Sequence, residues 1–456
     1  MLSLDEVRDE SALQALQAEW TTLLAQSQEA TPFQSWEWVY PWWCHYRQGS
    51  LCVYTVREDS RLVGLFPLVE TRLWKLPIRR LAFMGAPGSD YNAMLAVAGR
   101  EEECWQAFLR HLDSHKQSWD LTDFVFLREG STLTRTGTRP RSESLQMELL
   151  TCRRCPQSVL PSTWDDYLAL LTRKMRSNIS RGRKQMVRDF QAVIETTQTD
   201  DVAATMTAFF RLHAMRWESR GISGAFSDEG VQAWHQKVAQ GFQSQGWLRL
   251  HRVRIGEEIK AVLYCFRFGD LMMFYNCGFD VSLARYSPGT VLLSHAIEAA
   301  IAEGCRAFDF TRGDETYKYD WHVKEEHSYR LMIGSGTLRS RLALLLLRME
   351  NQIEALGSYL RNWIWGRHSV KTRTVAHLRS FTAKLKRRFS KPDASAKGSA
   401  QKPDRPQKQK SVAQKQNRKS PGPKGNHRSP KSAHDDLGET EQDQKQPGQP
   451  PIHSQG

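Results

Sequence analysis

No uncharged apolar run in this chain approaches the ~20 residues that a membrane-spanning helix requires. The opening Met1-Leu-Ser-Leu-Asp-Glu-Val-Arg-Asp-Glu is polar and acidic, unlike a signal peptide. A soluble, cytoplasmic protein is expected. The eight cysteines are scattered, several inside apolar runs, which argues against a disulfide framework and for reduced, buried thiols. Cys152-Arg-Arg-Cys155 is a lone CxxC with neither a second pair nor a histidine spacing behind it, and reads as coincidence in a linker rather than a zinc or redox site. No metal-ligand spacing appears elsewhere. No Ser/His/Asp or Cys/His pairing stands out, so a covalent intermediate is not expected. From Ser390 onward there is no Phe, Trp or Tyr, and that Lys-, Gln-, Pro- and Ser-rich stretch has too little apolar surface to offset its ordering entropy.

At 456 residues the chain is too long for one ordinary core, and two or three domains are expected. Its net charge of +14 resides in one place. Residues 367–456 hold 21 Lys+Arg against 7 Asp+Glu, leaving 43 of each sign in the rest. The folded part is therefore neutral, and the basic charge belongs to a tail. No specific nucleic acid is expected as a partner. The tail would attract anionic lipid, polysaccharide or nucleic acid non-specifically, or serve only solubility.

Along the chain, residues 10–28 read as a helix, followed by an aromatic cluster from Phe33 to Tyr46 that suggests core packing or, less simply, a substrate wall. A hairpin is expected at 51–57 and 61–70, a loop at 85–90, a helix at 101–115 and a short buried strand at 123–126. Residues 129–160 have the composition of a surface connection. A second unit then offers a long basic helix over 163–189, helices at 202–216 and 228–243, a hairpin at 248–255 and 258–268, a strand at 271–278, a helix at 290–303 and a strand at 307–310. Val56–Phe66 aligns without gaps to Val253–Leu263, and both units later pair a helix with an Asp-Phe strand. The repeated order suggests a duplicated α/β layer. The expected division is 1–150, 158–336, an amphipathic helix at 337–366 carrying many leucines, and a tail at 367–456. That helix is expected either to pack on the enzyme or to lie on a membrane surface.

The stretch richest in chemistry is 275–321. Ser287-Pro288-Gly289-Thr290 opens a helix, where unpaired N–H groups and the helix dipole favour a phosphate or another anion. The strand Phe308-Asp309-Phe310 runs out into Thr311-Arg-Gly-Asp-Glu-Thr-Tyr-Lys-Tyr-Asp-Trp321, crowding Arg312, Asp314, Glu315, Lys318 and Asp320 at a strand's C-terminal end, where open α/β sheets commonly bind ligands.

These runs resemble the GNAT-related family of CelD-like, cellulose-biosynthesis acetyltransferases, itself similar to Fem-type peptidoglycan aminoacyltransferases. The likeness rests on Gly278–Asp280, Ser287–Gly289 and Phe308–Trp321, with weaker support from Arg173–Arg181 and Phe33–Trp38. It covers roughly residues 30–335 and implies a fold of tandem, duplicated GNAT (N-acyltransferase) domains with mixed central sheets. The implied bacterial activity is transfer of an acyl group, usually acetyl from acetyl-CoA or another acyl-CoA, to an amine or sugar acceptor in exopolysaccharide or cell-envelope biosynthesis. Acyl-CoA would be a co-substrate rather than a permanently bound cofactor. The ordinary GNAT donor fingerprint is met only loosely by Arg285–Thr290, so a Fem-type aminoacyl-tRNA donor stays open, as does a non-catalytic binding protein that kept the fold.

For direct transfer, the expected roles are as follows. Arg285, Tyr286, Ser287, Gly289 and Thr290 hold the donor. Asp309, Asp314 or Glu315 orients or deprotonates the acceptor. Arg312 and Lys318 fix an anionic acceptor or neutralise the leaving group, and Tyr275 and Tyr286 are candidate proton donors. Arg312 with Asp314 reads equally well as a structural ion pair. The first unit is expected to be scaffold or acceptor wall.

Overall fold

The computed structural model describes residues 2–86, 88–136, 144–219, 221 and 223–366, with side chains as far as Ile353. The expected disordered tail and its charge lie outside the described residues. In chain order the first half contains β1 (Leu2–Val7), α1 (Glu10–Ala15), α2 (Gln17–Gln26), α3 (Trp36–Tyr46), β2 (Ser50–Leu51), β3 (Val53–Glu58), β4 (Arg61–Phe66), β5 (Leu68–Arg72), β6 (Arg79–Phe83), β7 (Leu95–Ala96), α4 (Glu101–Ser114), β8 (Leu121–Arg128), α5 (Thr132–Thr136) and β9 (Gln146–Arg154). The second contains β10 (Gln157–Val159), α6 (Trp164–Leu170), α7 (Arg173–Phe190), β11 (Val193–Thr196), α8 (Val202–Glu218), α9 (Glu229–Ser244), β12 (Leu248–Ile255), β13 (Glu258–Phe268), β14 (Leu271–Phe279), α10 (Pro288–Ala302), β15 (Ala307–Asp309), β16 (His327–Gly334) and α11 (Leu338–Gly366). The architecture is mixed α/β with mixed sheets. The strand orders are β1-β3-β4-β7, β2-β5-β6-β8-β16-β9 and β10-β15-β14-β13-β12-β11.

Both aligned hairpins, β3–β4 and β12–β13, shift register immediately after the matching valines, at Val56/Arg57 and Val253/Arg254. Four expectations need correction. The strand expected over 61–70 breaks at Pro67, which has no N–H to give a ladder; β4 then stays in the four-stranded sheet while β5 enters the six-stranded one. The helix expected over 163–189 is two helices. Leu171 is extended, and the Thr172 hydroxyl accepts from Met175 N at 3.2 Å to cap the second. The surface connection expected over 129–160 contains β9 and β10. Most consequentially, β16 lies between β8 and β9, antiparallel to both. A boundary at 336 therefore does not follow the sheets, because this strand of the second unit completes the first unit's sheet.

Besides its two backbone ladders, a buried ion pair ties β16 to β8. Arg330 donates to both Asp123 oxygens, at 2.6 and 2.9 Å, with Arg80 at 3.4 Å behind it and Glu350 on the far side of Arg330 at 3.1 Å. Burial by itself would raise the Asp123 carboxyl, but Arg330 and Arg80 hold it below the usual carboxylate range. The two crossovers between halves also run side by side. Phe310 N donates to Pro156 O at 2.9 Å, Gly313 N to Arg154 O at 2.9 Å, and Gln157 N to Lys324 O at 2.9 Å.

In the second half, α10 is apolar on nearly every side because it is enclosed by β13 and α7. The basic helix α7 buries Met175, Ile179, Gly182 and Met186, at 4-, 3- and 4-residue spacing, and turns Arg173, Lys174, Arg181, Lys184 and Arg188 to solvent.

Removing one partner of a buried pair usually costs ~3–5 kcal/mol. Asp123→Asn should lose ~3 kcal/mol in denaturant unfolding, the low end, because Glu350 still faces Arg330. Because the folded Asp123 carboxyl is lowered, the pair's contribution is present above the ordinary carboxylate range and is lost as pH falls through the folded value. Asp123→Asn with Arg330→Met should recover most of the loss; no recovery would mean the pair is not what ties β16 to β8.

Candidate active site

Strand β14 pairs with β15 in parallel only from Leu271 to Met273, opposite Ala307 to Asp309. Beyond that point β14 continues to Phe279 without its parallel neighbour, and the chain leaving β15 turns away through Thr311, which adopts a left-handed φ of 53°. The Thr311 hydroxyl donates to Phe274 O at 2.9 Å, satisfying one carbonyl that the parting strands leave exposed. On its other edge β14 shifts register against β13, so that Tyr275 has no cross-strand partner between Asn276 and Phe274. Gly278 lets helix α8 approach: a Cβ there would lie 2.6 Å from His213 N.

Three residues read from the sequence meet where the strands part, and each is held by the first half of the chain. Asp309 is buried; both its oxygens accept the Tyr91 hydroxyl at 3.0 Å, and one accepts Thr311 N at 2.7 Å. Burial pushes its carboxyl up to about 6, against the pull of Arg128 and the hydrogen bonds from Thr311 and Tyr91. The Tyr91 phenol is pushed well above its ordinary value by burial and by the charge of Asp309. Arg312 donates to Asp90 at 2.6 Å and lies 3.7 Å over the Phe126 ring. Asp90 is thus an ion-pair partner of Arg312 that the sequence reading did not name. Tyr275 donates to Gly88 O at 3.0 Å and is packed among Phe33, Trp38 and His235. Trp38 and Phe33 are fully buried there, as core rather than as an open wall.

The other candidates occupy different positions. Lys318 is buried, donating to Arg312 O at 3.0 Å and pairing with the exposed Glu315 at 3.1 Å. Both therefore shape the turn after β15. Asp314 is half-buried and acts electrostatically on Arg154. Arg285 is exposed and folds back on Tyr286, donating to its hydroxyl at 2.7 Å; Tyr286 packs on Phe190. Ser287 has a left-handed φ of 54°, and its N–H is taken by Ala284 O at 3.0 Å. Pro288 has no N–H, so Gly289 and Thr290 supply the free amides at the start of α10, and space beside Gly289 is open. Helix α7 packs against this end of α10: a Cβ on Gly182 would touch Val291 and Tyr286 O. From the end of β14 at Phe279 the chain reaches α10 through a turn at Val281–Tyr286, while the run after β15 brings Tyr317 into electrostatic contact with Cys277 of β14.

Two cavities do open on the seam beside Asp309. One, of about 320 Å³, is lined by Glu29, Tyr91, Asn92, Arg128 and Arg135 among others. The other, of about 580 Å³, is lined by Gln157, Met273, Arg306 and Ala307 among others, and Gln28 and Arg128 border both. The Arg128 guanidinium lies over the Tyr91 ring, 5.4 Å from its centroid, and makes no ion pair with a described residue. Glu29 has one buried oxygen without a partner, the other accepting from Thr132. Tyr91, Arg128 and Glu29 carry no signal in the sequence, because their relation to Asp309 exists only across the folded seam. Among the described residues no three His, Cys, Asp or Glu are grouped as for a metal.

Residues 173–319 match the model of a family described as "Acetyltransferase (GNAT) domain". Among solved structures, FemX has a similar fold, with a TM-score of 0.52 and 11% identity over 75% of this chain and 99% of that one. The C-terminal domain (DUF2156) of a putative lysylphosphatidylglycerol synthetase from Agrobacterium fabrum aligns with a TM-score of 0.46 and 11% identity, over 73% of this chain and 95% of that one. A tandem GNAT protein from the clavulanic acid biosynthesis pathway aligns with a TM-score of 0.35 and 10% identity, over 73% and 98%. A search of curated proteins by sequence returns no match. The chain is thus a mixed α/β protein whose fold resembles that of FemX, and its residues 173–319 resemble a GNAT domain.

Asp309 supplies a test of the site's electrostatics. Its folded value lies above the ordinary one, so its contribution to stability is full at low pH and is lost as pH rises through about 6. At pH 7.5 the buried carboxylate should cost up to about 3 kcal/mol, at 1.36 kcal/mol per pK unit. Asp309→Asn keeps acceptors for Tyr91 and Thr311 without the charge. It should melt above the parent at pH 7.5, with the gap closing near pH 4. A gap independent of pH would show that the carboxylate is not held at a cost. Tyr91→Phe should raise the Asp309 titration further, read by carboxyl NMR.

Proposed function

We propose that this chain is an acyltransferase that moves an acyl group from a thioester donor, acyl-CoA, to an amine acceptor. The reading is carried by one observation: a buried carboxylate with a raised pKa, Asp309, sits where β14 and β15 part and is hydrogen-bonded through Tyr91 to a cavity on the seam. The amides of Gly289 and Thr290, the α10 dipole and the basic face of α7 would hold the donor's phosphates. From there an extended donor would run along β14, bringing its acyl end to the level of Tyr275 and Asp309.

The acceptor nitrogen, seated in the cavity beside Tyr91, attacks the thioester carbonyl. Its proton passes to the Tyr91 oxygen as the Tyr91 proton passes to Asp309, and the C–S bond breaks to release a thiolate, which takes up a proton from water while Asp309 returns its own to solvent. Tyr91 is suited to relay because its phenol stays protonated, while Asp309 is ionised at neutral pH. Arg312, Lys318 and Glu315 act in this scheme by position: Arg312 fixes Asp90 and so the loop bearing Tyr91, and Lys318 fixes Arg312. The resemblance of 275–321 to the CelD-like family directs the acceptor search to exopolysaccharide and cell-envelope precursors. The exposed cations of α7 favour a second reading of the donor, an aminoacyl-tRNA as in Fem-type enzymes, because they suit a larger polyanion equally well.

The test is thiol release from a panel of acyl-CoAs, with and without envelope precursors bearing free amines. Turnover is expected, with kcat rising through about pH 6 and falling ~10²–10⁴-fold in Asp309→Asn. Consumption of charged tRNA without thiol release would move the donor to the second reading. Tight ligand binding with no turnover of either donor would leave a binding protein on a GNAT fold.

A further inference from the structure

Helix α11 has two apolar faces. Ser340, Ala343, Leu344 and Leu347 are buried against the six-stranded sheet completed by β16. On the opposite side Leu338, Leu342, Leu345, Met349 and Ile353 recur at spacings of 4, 3, 4 and 4, and stand between 50% and 82% exposed. At 1.5 Å per residue they make an apolar stripe ~22 Å long. Isolated exposed leucines need no explanation, but five aligned on one helix do.

Packing on the body of the protein accounts for the first face and leaves the second uncovered. At 100° per residue, Arg339 and Arg341 flank the exposed stripe ~80° to either side. Neither is paired with an acidic described residue, whereas Arg348, one heptad beyond Arg341 on the same edge, is bound to Glu148. Directly after this helix, residues 367–389 of the sequence hold eight Lys/Arg and no Asp/Glu, while residues 1–366 carry no net charge. An apolar stripe with cationic edges, followed at once by a polybasic run, combines the two signals that stable attachment to an anionic bilayer requires. The 390–456 stretch, without a single Phe, Trp or Tyr, is a poor match for a leucine stripe. No helix of the described residues is long and apolar enough to cross a membrane.

We propose that the exposed face of α11 docks on the surface of an anionic lipid bilayer, its leucines at the acyl boundary and its arginines at the headgroups. The proposal stands apart from the acyl-transfer reading, since it involves none of that reading's residues and needs no turnover.

The experiment is co-sedimentation of the full chain with vesicles of phosphatidylcholine alone and of phosphatidylcholine with phosphatidylglycerol. Binding is expected only to the anionic vesicles and should weaken as salt rises. Leu342→Glu with Leu345→Glu, at exposed positions that leave the buried face intact, should weaken it at least tenfold without lowering Tm. Arg339→Glu with Arg341→Glu should reduce it also. Three results would overturn the proposal. They are no preference for anionic vesicles, binding unchanged by the leucine substitutions (the polybasic run acting alone), and a self-associated species in sizing experiments that those substitutions disperse.

Discussion

A carboxylate buried at the end of a strand must find hydrogen bonds, and at Asp309 much of the supply comes from the other half of the molecule. Thr311 provides one amide from the same turn, and Tyr91, more than two hundred residues earlier, provides the hydroxyl. The same loop supplies Asp90 to Arg312 and the Gly88 carbonyl to Tyr275. An isolated second half would leave a buried acid, a guanidinium and a phenol without these partners, each at a cost of a kcal/mol or more. The seam is therefore a condition for the site as well as a contact between two layers.

That dependence explains the interleaving of the chain. The run from Phe310 to Glu326 lies between β15 in one sheet and β16 in another, and hydrogen-bonds along its length to the crossover around Cys155 and Pro156. With both ends anchored in different sheets, Arg312 and Lys318 cannot drift relative to the loop at 88–91. The Asp123–Arg330 pair stabilises the far anchor, so a residue remote from the cavities sets the geometry beside Asp309.

Local chemistry was readable wherever it was written locally. The hairpin at 248–255 and 258–268 has its observed bounds, because alternating β-branched and aromatic residues flank a Gly-Glu turn. The start of α10 followed from Pro at its first position. What failed depended on distant partners. Strands β9 and β10 lie in a stretch of loop-like composition, and β9 becomes a strand only because β16 arrives beside it. The same holds for the site. Asp309 and Arg312 stood out from the density of charge after a buried strand, and Tyr275 as a candidate proton donor; their position where β14 and β15 part did not. Tyr91, Asp90, Arg128 and Glu29 were not legible, since nothing in their neighbourhood marks them.

Under the proposed acyl transfer, the amides of α10 and the carboxylate of Asp309 serve different ends of one donor, the charged end and the reactive end joined by a long arm. A donor lying along β14 would leave the seam cavities for the acceptor; they are bordered by Arg128, which makes no ion pair with a described residue, and by Glu29, one of whose oxygens is buried without a partner. Burying Asp309 there works against stability, as its raised pKa records. The cost is tolerable because the interleaved strands hold the seam closed, and the same burial lifts a carboxylate toward the neutral range in which a proton acceptor is most effective.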